Sequence, residues 1–194
     1  MYGETNQEKR QVAVMEAAFQ QGYVTKANDL KNLAQLYYLN GAPFKAAQLM
    51  EKSLAEKKLD ENLKNLEFLA QAWSNAKEYE KAIPVLEQAA KLSGKGDNYS
   101  RLAQVYLNME QWDKVITYGK KAMDKGVVKN MGHLQVSLGM AYFNLKKFNS
   151  SIRYFEMAAK DKKVKKVALQ WIKYVSKEKE KQQKLVAALD TKIR

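Results

Sequence analysis

Apolar residues recur along this 194-residue chain at intervals of three and four, the spacing that lines them up on one face of an α-helix. They do so in a motif that returns. Leu33-Ala34-Gln35-Leu36-Tyr37-Tyr38-Leu39-Asn40-Gly41 reappears as Leu69-Ala70-Gln71-Ala72-Trp73-Ser74-Asn75, as Leu102-Ala103-Gln104-Val105-Tyr106-Leu107-Asn108 and as Leu138-Gly139-Met140-Ala141-Tyr142-Phe143-Asn144. The leading leucines are 36, 33 and 36 residues apart, and the aromatics Tyr37, Trp73, Tyr106 and Tyr142 keep those intervals. A second track follows each first one. Ala46, Ala82, Val115 and Ser151 lie nine residues after the aromatic; Met50, Leu86, Gly119 and Phe155 lie four further on; Ser53, Ala89, Ala122 and Ala158 come three beyond those. A fixed period of this length marks a repeat architecture.

Packing dictates what each unit must be. Both tracks have the helical period, so each unit reads as two short amphipathic helices joined by a tight turn. The small residues Ala34, Ala70, Ala103 and Gly139 let two helices approach closely, and the aromatic three residues on fills the wedge beside them. One such pair cannot bury its apolar face alone, so neighbours stack into a solenoid.

These offsets resemble the tetratricopeptide repeat, a unit of about 34 residues. The resemblance covers roughly residues 27–160, where four copies agree in register at six offsets. The proline usual near the end of such a repeat is missing from every copy. The resemblance implies an all-α, right-handed superhelical solenoid of helix-turn-helix repeats with a C-terminal capping helix.

Along the chain, residues 6–22 read as a helix closed by Gly22. Its Val14, Ala17 and Ala18 fall 36 residues before Met50, Ser53 and Leu54. It therefore reads as the second half of an earlier repeat, an argument for truncation, with a native N-terminal cap as the rival. Repeats follow at 27–60, 62–94, 97–127 and 130–161. Pro43 suits the first turn of a helix; Pro84 falls about one turn inside another and is expected to cost a hydrogen bond and to kink it. Asp97 reads as an N-cap. A final helix over 163–190 carries Val164, Val167, Ala168, Trp171, Tyr174 and Val175 on one face and caps the fourth repeat. Lys177 to Lys184 is all polar, which projects the helix into solvent. Leu185, Val186, Ala187, Ala188, Leu189 and Ile193 then resume apolar character, fit to fold back or to pair with another chain.

Nine Gly, two Pro and no Cys fit an all-helical chain with no disulfide framework, thiolate nucleophile or cysteine-based metal site. No run of 18 apolar residues spans a membrane, and the polar start Met1 to Gln7 is no signal peptide. The formal net charge is +13. Residues 160–194 hold 12 Lys/Arg against 4 Asp/Glu. A solvated helix, an acidic protein or membrane surface, and nucleic acid all remain open for this tail. Lysine dominance and alternation with Glu in Lys177–Lys181 argue against nucleic acid.

Catalytic chemistry finds little purchase. His133 is the one histidine, with no second ligand at helical spacing for a metal. Gly94-Lys95-Gly96-Asp97 lacks the Lys-Ser/Thr step of a phosphate loop and follows a helix. The tryptophans Trp73, Trp112 and Trp171 sit at core or helix-start offsets. The sequence calls for no enzyme, no cofactor and no metal.

Binding is better supported. First helices of stacked pairs line a concave groove, and the residues off the packing tracks face it. Gln35, Gln71 and Gln104 occupy equivalent places, with Met140 in the fourth repeat; Leu39, Asn75, Asn108 and Asn144 come one turn on, beside Tyr38, Ser74, Leu107 and Phe143. Each amide both donates and accepts, so the ladder can hydrogen-bond an extended peptide, and Tyr38, Leu107, Met140 and Phe143 offer apolar contacts. The tetratricopeptide family also has a clamp for a peptide's terminal carboxylate. Lys31 matches it, but Gln35, Phe68 and Asp97 stand where its Asn, Asn and Lys would be, so no such clamp is expected.

A narrower resemblance rests on Gln11-Val12-Ala13-Val14-Met15-Glu16-Ala17-Ala18-Phe19-Gln20-Gln21-Gly22-Tyr23, on Leu33 to Tyr37 with Lys45-Ala46-Ala47, and on Ala168-Leu169-Gln170-Trp171-Ile172-Lys173-Tyr174-Val175. These are similar to the tetratricopeptide proteins encoded beside TonB–ExbB–ExbD energy-transduction clusters in marine gamma-proteobacteria. That resemblance implies a periplasmic portion of a longer precursor, with a cytoplasmic protein as the alternative. Its partner would be a protein or peptide of a TonB-dependent transport system.

Overall fold

The computed structural model describes residues 2–193, with side chains described over residues 10–189. Met1 and the side chains of the polar start, and of Ile193, lie outside that range. The described residues form ten α-helices and no strand, in two units, Met1–Ser93 and Gly94–Arg194.

The first unit holds α1 (Tyr2–Gln20), α2 (Ala27–Leu39), α3 (Pro43–Ala55), α4 (Leu63–Asn75) and α5 (Tyr79–Ser93). Helices α2 and α3 form one antiparallel hairpin, α4 and α5 the next, and α3 packs on α4. The two tracks meet in the core: Leu33, Ala34 and Tyr37 of α2, Ala46 and Met50 of α3, Leu69 and Trp73 of α4, and Ala82 of α5 are all buried. Each large side chain so buried contributes roughly 1.5–3 kcal/mol. Pro43 opens α3, where its missing N–H costs nothing. Pro84 lies inside α5, yet α5 is one helix from Tyr79 to Ser93, so the proline does not end it. Helix α1 begins at Tyr2, four residues before the start that its pattern indicates.

The second unit holds α6 (Gly96–Asn108), α7 (Trp112–Lys125), α8 (Met131–Asn144), α9 (Phe148–Ala158) and α10 (Lys165–Ile193). Here α6 pairs with α7 and α8 with α9, α7 packs on α8, and α10 packs on α9. Leu102, Ala103 and Tyr106 of α6, Val115 and Ala122 of α7, Leu138 and Tyr142 of α8, and Phe155 and Ala158 of α9 are buried. The small residue at 139 serves a side chain: a Cβ there would stand 2.7 Å from the Phe155 ring. Ser151, the polar member of the second track in this unit, is fully buried and donates from Oγ to the Gly139 carbonyl at 2.8 Å, so its hydroxyl is satisfied.

The turn inside every hairpin is the same device. Gly41, Lys77, Glu110 and Lys146 sit 36, 33 and 36 residues apart, each with positive φ, at 76°, 62°, 55° and 59°. Each follows a helix as the left-handed residue of a Schellman motif. At the first turn Gly41 N–H donates to Tyr38 O at 3.2 Å and Ala42 N–H to Tyr37 O at 2.8 Å. Lys77 and Glu78, Glu110 and Gln111, and Lys146 and Lys147 repeat that pair of bonds. Only the first copy uses glycine; in the other three the same pair of backbone bonds holds an ordinary residue in the left-handed region.

Two further expectations change. The N-cap of α6 is Lys95 rather than Asp97. Asp97 sits in the first turn, accepts from the Lys129 N–H at 3.3 Å and pairs with Arg101 at 3.8 Å; it ties the start of α6 to the loop before α8. Helix α10 runs unbroken through the polar stretch, and Leu185, Val186 and Leu189 neither fold back nor bury: they are 60%, 51% and 52% exposed.

Candidate binding faces on the first helices

The residues left over once the core is packed define the exposed face of each first helix. In the first unit these are Gln35, Leu39, Gln71 and Asn75, all exposed, with Tyr38 half-buried among them. Leu39 is 78% exposed, the most open apolar side chain in the unit's described hairpins. Tyr38 is more than an apolar contact. Its ring meets Phe68 edge-on at 5.6 Å, and its hydroxyl accepts from Gln71 Nε2 at 2.9 Å and Asn75 Nδ2 at 2.5 Å. One phenol on α2 thus fixes two amides on α4, one turn apart. Each amide keeps its carbonyl oxygen and one N–H for another partner. Beside this cluster lies a pocket of roughly 500 Å3 between α2 and α4, lined by Lys31, Asn32, Gln35, Lys64 and Phe68 among others.

In the second unit the equivalent residues make a different network. Gln104 Nε2 donates to Asn108 Oδ1 at 3.2 Å, and Gln104 Oε1 lies 3.4 Å from Ser137 Oγ, whose hydroxyl also reaches the His133 carbonyl at 3.1 Å. Asn144 Nδ2 donates to the Met140 carbonyl of its own helix at 3.0 Å. Leu107 and Met140 are half-buried. Phe143 is drawn into an aromatic cluster with the last helix: its ring lies 5.7 Å from Trp171, 5.4 Å from Tyr174 and 5.9 Å from Phe148. Trp171 in turn stacks on Phe155 at 5.3 Å. The sequence placed Phe143 on the groove and Trp171 in the cap; only packing joins them. The signal was present in Trp171 and Tyr174, three residues apart on one helical face.

Lysines were also missed. Lys45, Lys81 and Lys114 each fall eight residues after the repeat's aromatic, and each ammonium lies over that ring, 5.6, 4.3 and 4.9 Å from its centroid. In the fourth hairpin Ser150 takes the place, and Tyr154 stacks on Tyr142 at 5.2 Å. A hydrogen bond to Tyr142 holds the Lys120 pKa above its ordinary value. In the first hairpin, burial and then the nearby Glu16 carboxylate push the Tyr37 phenol up to about 12; Glu16 also pairs with Lys45 at 2.9 Å.

The two units differ sharply in charge. Residues 1–93 hold 12 Lys/Arg and 12 Asp/Glu; residues 94–194 hold 22 and 9. The whole excess of +13 belongs to the second unit, so the basic character begins before the tail. His133 is exposed on α8. Among the described residues no group of His, Cys, Asp or Glu is arranged to hold a metal ion, and no helix is long and apolar enough to cross a membrane.

No protein-family model matches the chain, and no curated protein matches it in sequence. Solved structures do match in fold. A structure of MamA has a TM-score of 0.66 at 21% identity, over 79% of this chain and 88% of that one. YrrB, described as a TPR protein with an unusual peptide-binding site, has a TM-score of 0.67 at 15% identity, over 87% and 84%. The C-terminal part of a TPR repeat-containing protein from Cytophaga hutchinsonii has a TM-score of 0.70 at 15% identity, over 89% and 66%. The chain therefore has the helical-repeat fold of tetratricopeptide-repeat proteins.

Proposed function

We propose that this protein is a non-catalytic scaffold that binds a peptide or protein segment on the exposed faces of its first helices. The observation that carries this reading is the convergence of Gln71 and Asn75 on the Tyr38 hydroxyl. Two amides held by one phenol are preorganised, so less entropy is lost when their remaining groups bond a partner's backbone. Leu39 on the face of the first unit, and separately Leu107 and Met140 on that of the second, supply apolar contacts that give such a face its side-chain preference. The fold it shares with YrrB, whose description includes a peptide-binding site, supports the class of ligand. The residues similar to TonB-associated tetratricopeptide proteins support a narrower proposal, a periplasmic accessory of TonB-dependent transport.

The test is selection of peptides from a random library on the intact chain, followed by titration against a Gln71→Ala/Asn75→Ala variant. The expected result is at least a tenfold loss of affinity, which corresponds to about 1.4 kcal/mol. Equal affinity would remove the amides from the site. A second reading, contact with nucleic acid or another anionic surface, is favoured by one observation, the confinement of all +13 charges to residues 94–194. A salt titration separates the two readings. Binding driven by the lysines falls steeply with salt, whereas binding through the amides changes little.

A further inference from the structure

The last helix outruns its neighbour. Helix α10 has 29 residues and α9 has 11, so at 1.5 Å per residue α10 extends well past the start of α9. The overhang, the first turn of α9 and the α8–α9 turn line an open, solvent-facing groove of about 640 Å3, comparable in volume with small-molecule sites of roughly 300–1,000 Å3. Its wall carries two kinds of residue. Lys146 and Lys147 come from the turn and Lys179 from α10; Phe148, Val186 and Ala187 supply apolar surface, and the remaining lining residues are neutral and polar. No acidic residue lines it among those described.

The equivalent turns of the two preceding hairpins are built otherwise. Glu78 and Glu80 stand at the start of α5, and Glu110 and Asp113 at the start of α7. Acidic residues suit that end of a helix. At α9 the same positions read Lys146, Lys147 and Asn149, with no acid in the first turn. Lys179 is half-buried, and Lys146 lies 5.6 Å from the Phe143 ring. Three like charges around one groove repel, and a bound anion relieves that repulsion. The apolar wall selects an anion with a hydrocarbon stem over a bare one.

We propose that this groove binds an aliphatic carboxylate, with the head on Lys147 and Lys179 and the chain against Phe148 and Val186. The experiment titrates the full chain with octanoate, with octyl glucoside (a similar chain without charge), and with acetate and inorganic phosphate (charge without chain). Calorimetry reads affinity, and amide NMR shifts read location. Octanoate is expected to shift residues 146–150 and 179–187, while the other three at equal concentration do not. A Lys147→Gln/Lys179→Gln variant should bind octanoate about tenfold more weakly with an unchanged circular dichroism spectrum. The proposal fails if octyl glucoside matches octanoate, if phosphate or acetate does, if the shifts fall elsewhere, or if the variant binds octanoate as well as the parent.

Discussion

The Lys81 ammonium lies 4.3 Å from the centroid of the Trp73 ring, and the same pairing recurs one repeat earlier at Lys45 and Tyr37 and one repeat later at Lys114 and Tyr106. The lysine begins the second helix and the aromatic ends the first, so each contact latches its hairpin near the turn. Trp73 is fully buried, so the lysine covers the rim of the core with its stem as well as its charge. Lys81→Ala should lower stability by about 0.5–1 kcal/mol, read as a lower urea midpoint. Lys81→Arg should keep most of it. An unchanged midpoint for the alanine variant would show the contact to be energetically idle.

Three hairpin turns place a non-glycine residue in the left-handed region where the first uses Gly41. That conformation costs an L-residue roughly 1–2 kcal/mol. Lys77→Gly and Glu110→Gly should each raise stability by about 1 kcal/mol, and Gly41→Ala should lower it by a similar amount. Thermal denaturation of the three variants checks the sign at once; a fall in melting temperature for Lys77→Gly means that its side chain contributes more than its backbone strain.

Gly96 begins α6 with its N–H bonded to the Gly126 carbonyl at 2.8 Å. A methyl there would run into the carbonyl oxygens of Ala122 and Gly126 and the Val128 side chain. Backbone atoms cannot give way cheaply, so Gly96→Ala should cost roughly 1–3 kcal/mol. By contrast, a Cβ at Gly94 meets nothing, and its substitution costs only the strain of φ +63°. Urea unfolding followed by the Tyr and Trp signals tests whether the order is Gly96→Ala worse than Gly94→Ala.

The Tyr37 phenol, raised from 10.0 to about 12, ties stability to alkaline pH. Burial is the main cause, followed by the charge of Glu16 and the hydrogen bond to it. The folded state holds the proton more tightly than the unfolded one, so this stabilisation is complete below pH 10 and is lost as pH rises towards 12. Tyr37→Phe removes the titrating group. Its stability should fall less steeply across that window than the parent's, and ultraviolet titration of the variant should lack one tyrosinate that forms near pH 12 in the parent. Parallel curves for the two proteins would mean that Tyr37 titrates like an exposed phenol.

The hairpins were legible because a helix must place its buried residues at intervals of three and four, and a stack of equal hairpins must repeat those intervals. Leu33, Tyr37, Ala46 and Met50 carry that information wherever the chain goes next. The exposed faces were legible only as positions. Gln71 and Asn75 could be assigned to one face from spacing, but their bonding to Tyr38, 33 and 37 residues away, depends on how far apart α2 and α4 sit. Phe143 looked free by offset and is packed because α10 brings Trp171 and Tyr174 to it. Asp97 looked like a cap and instead bonds the Lys129 N–H across the α7–α8 loop. The turns lie between these cases: their spacing is as regular as the core's, yet Lys77, Glu110 and Lys146 hide it, since backbone hydrogen bonds set their φ and residue type does not. Periodicity along the chain determined which residues are buried and which helices pair. The distance between helices, fixed only when the hairpins stack, decided what the remaining polar and aromatic side chains touch.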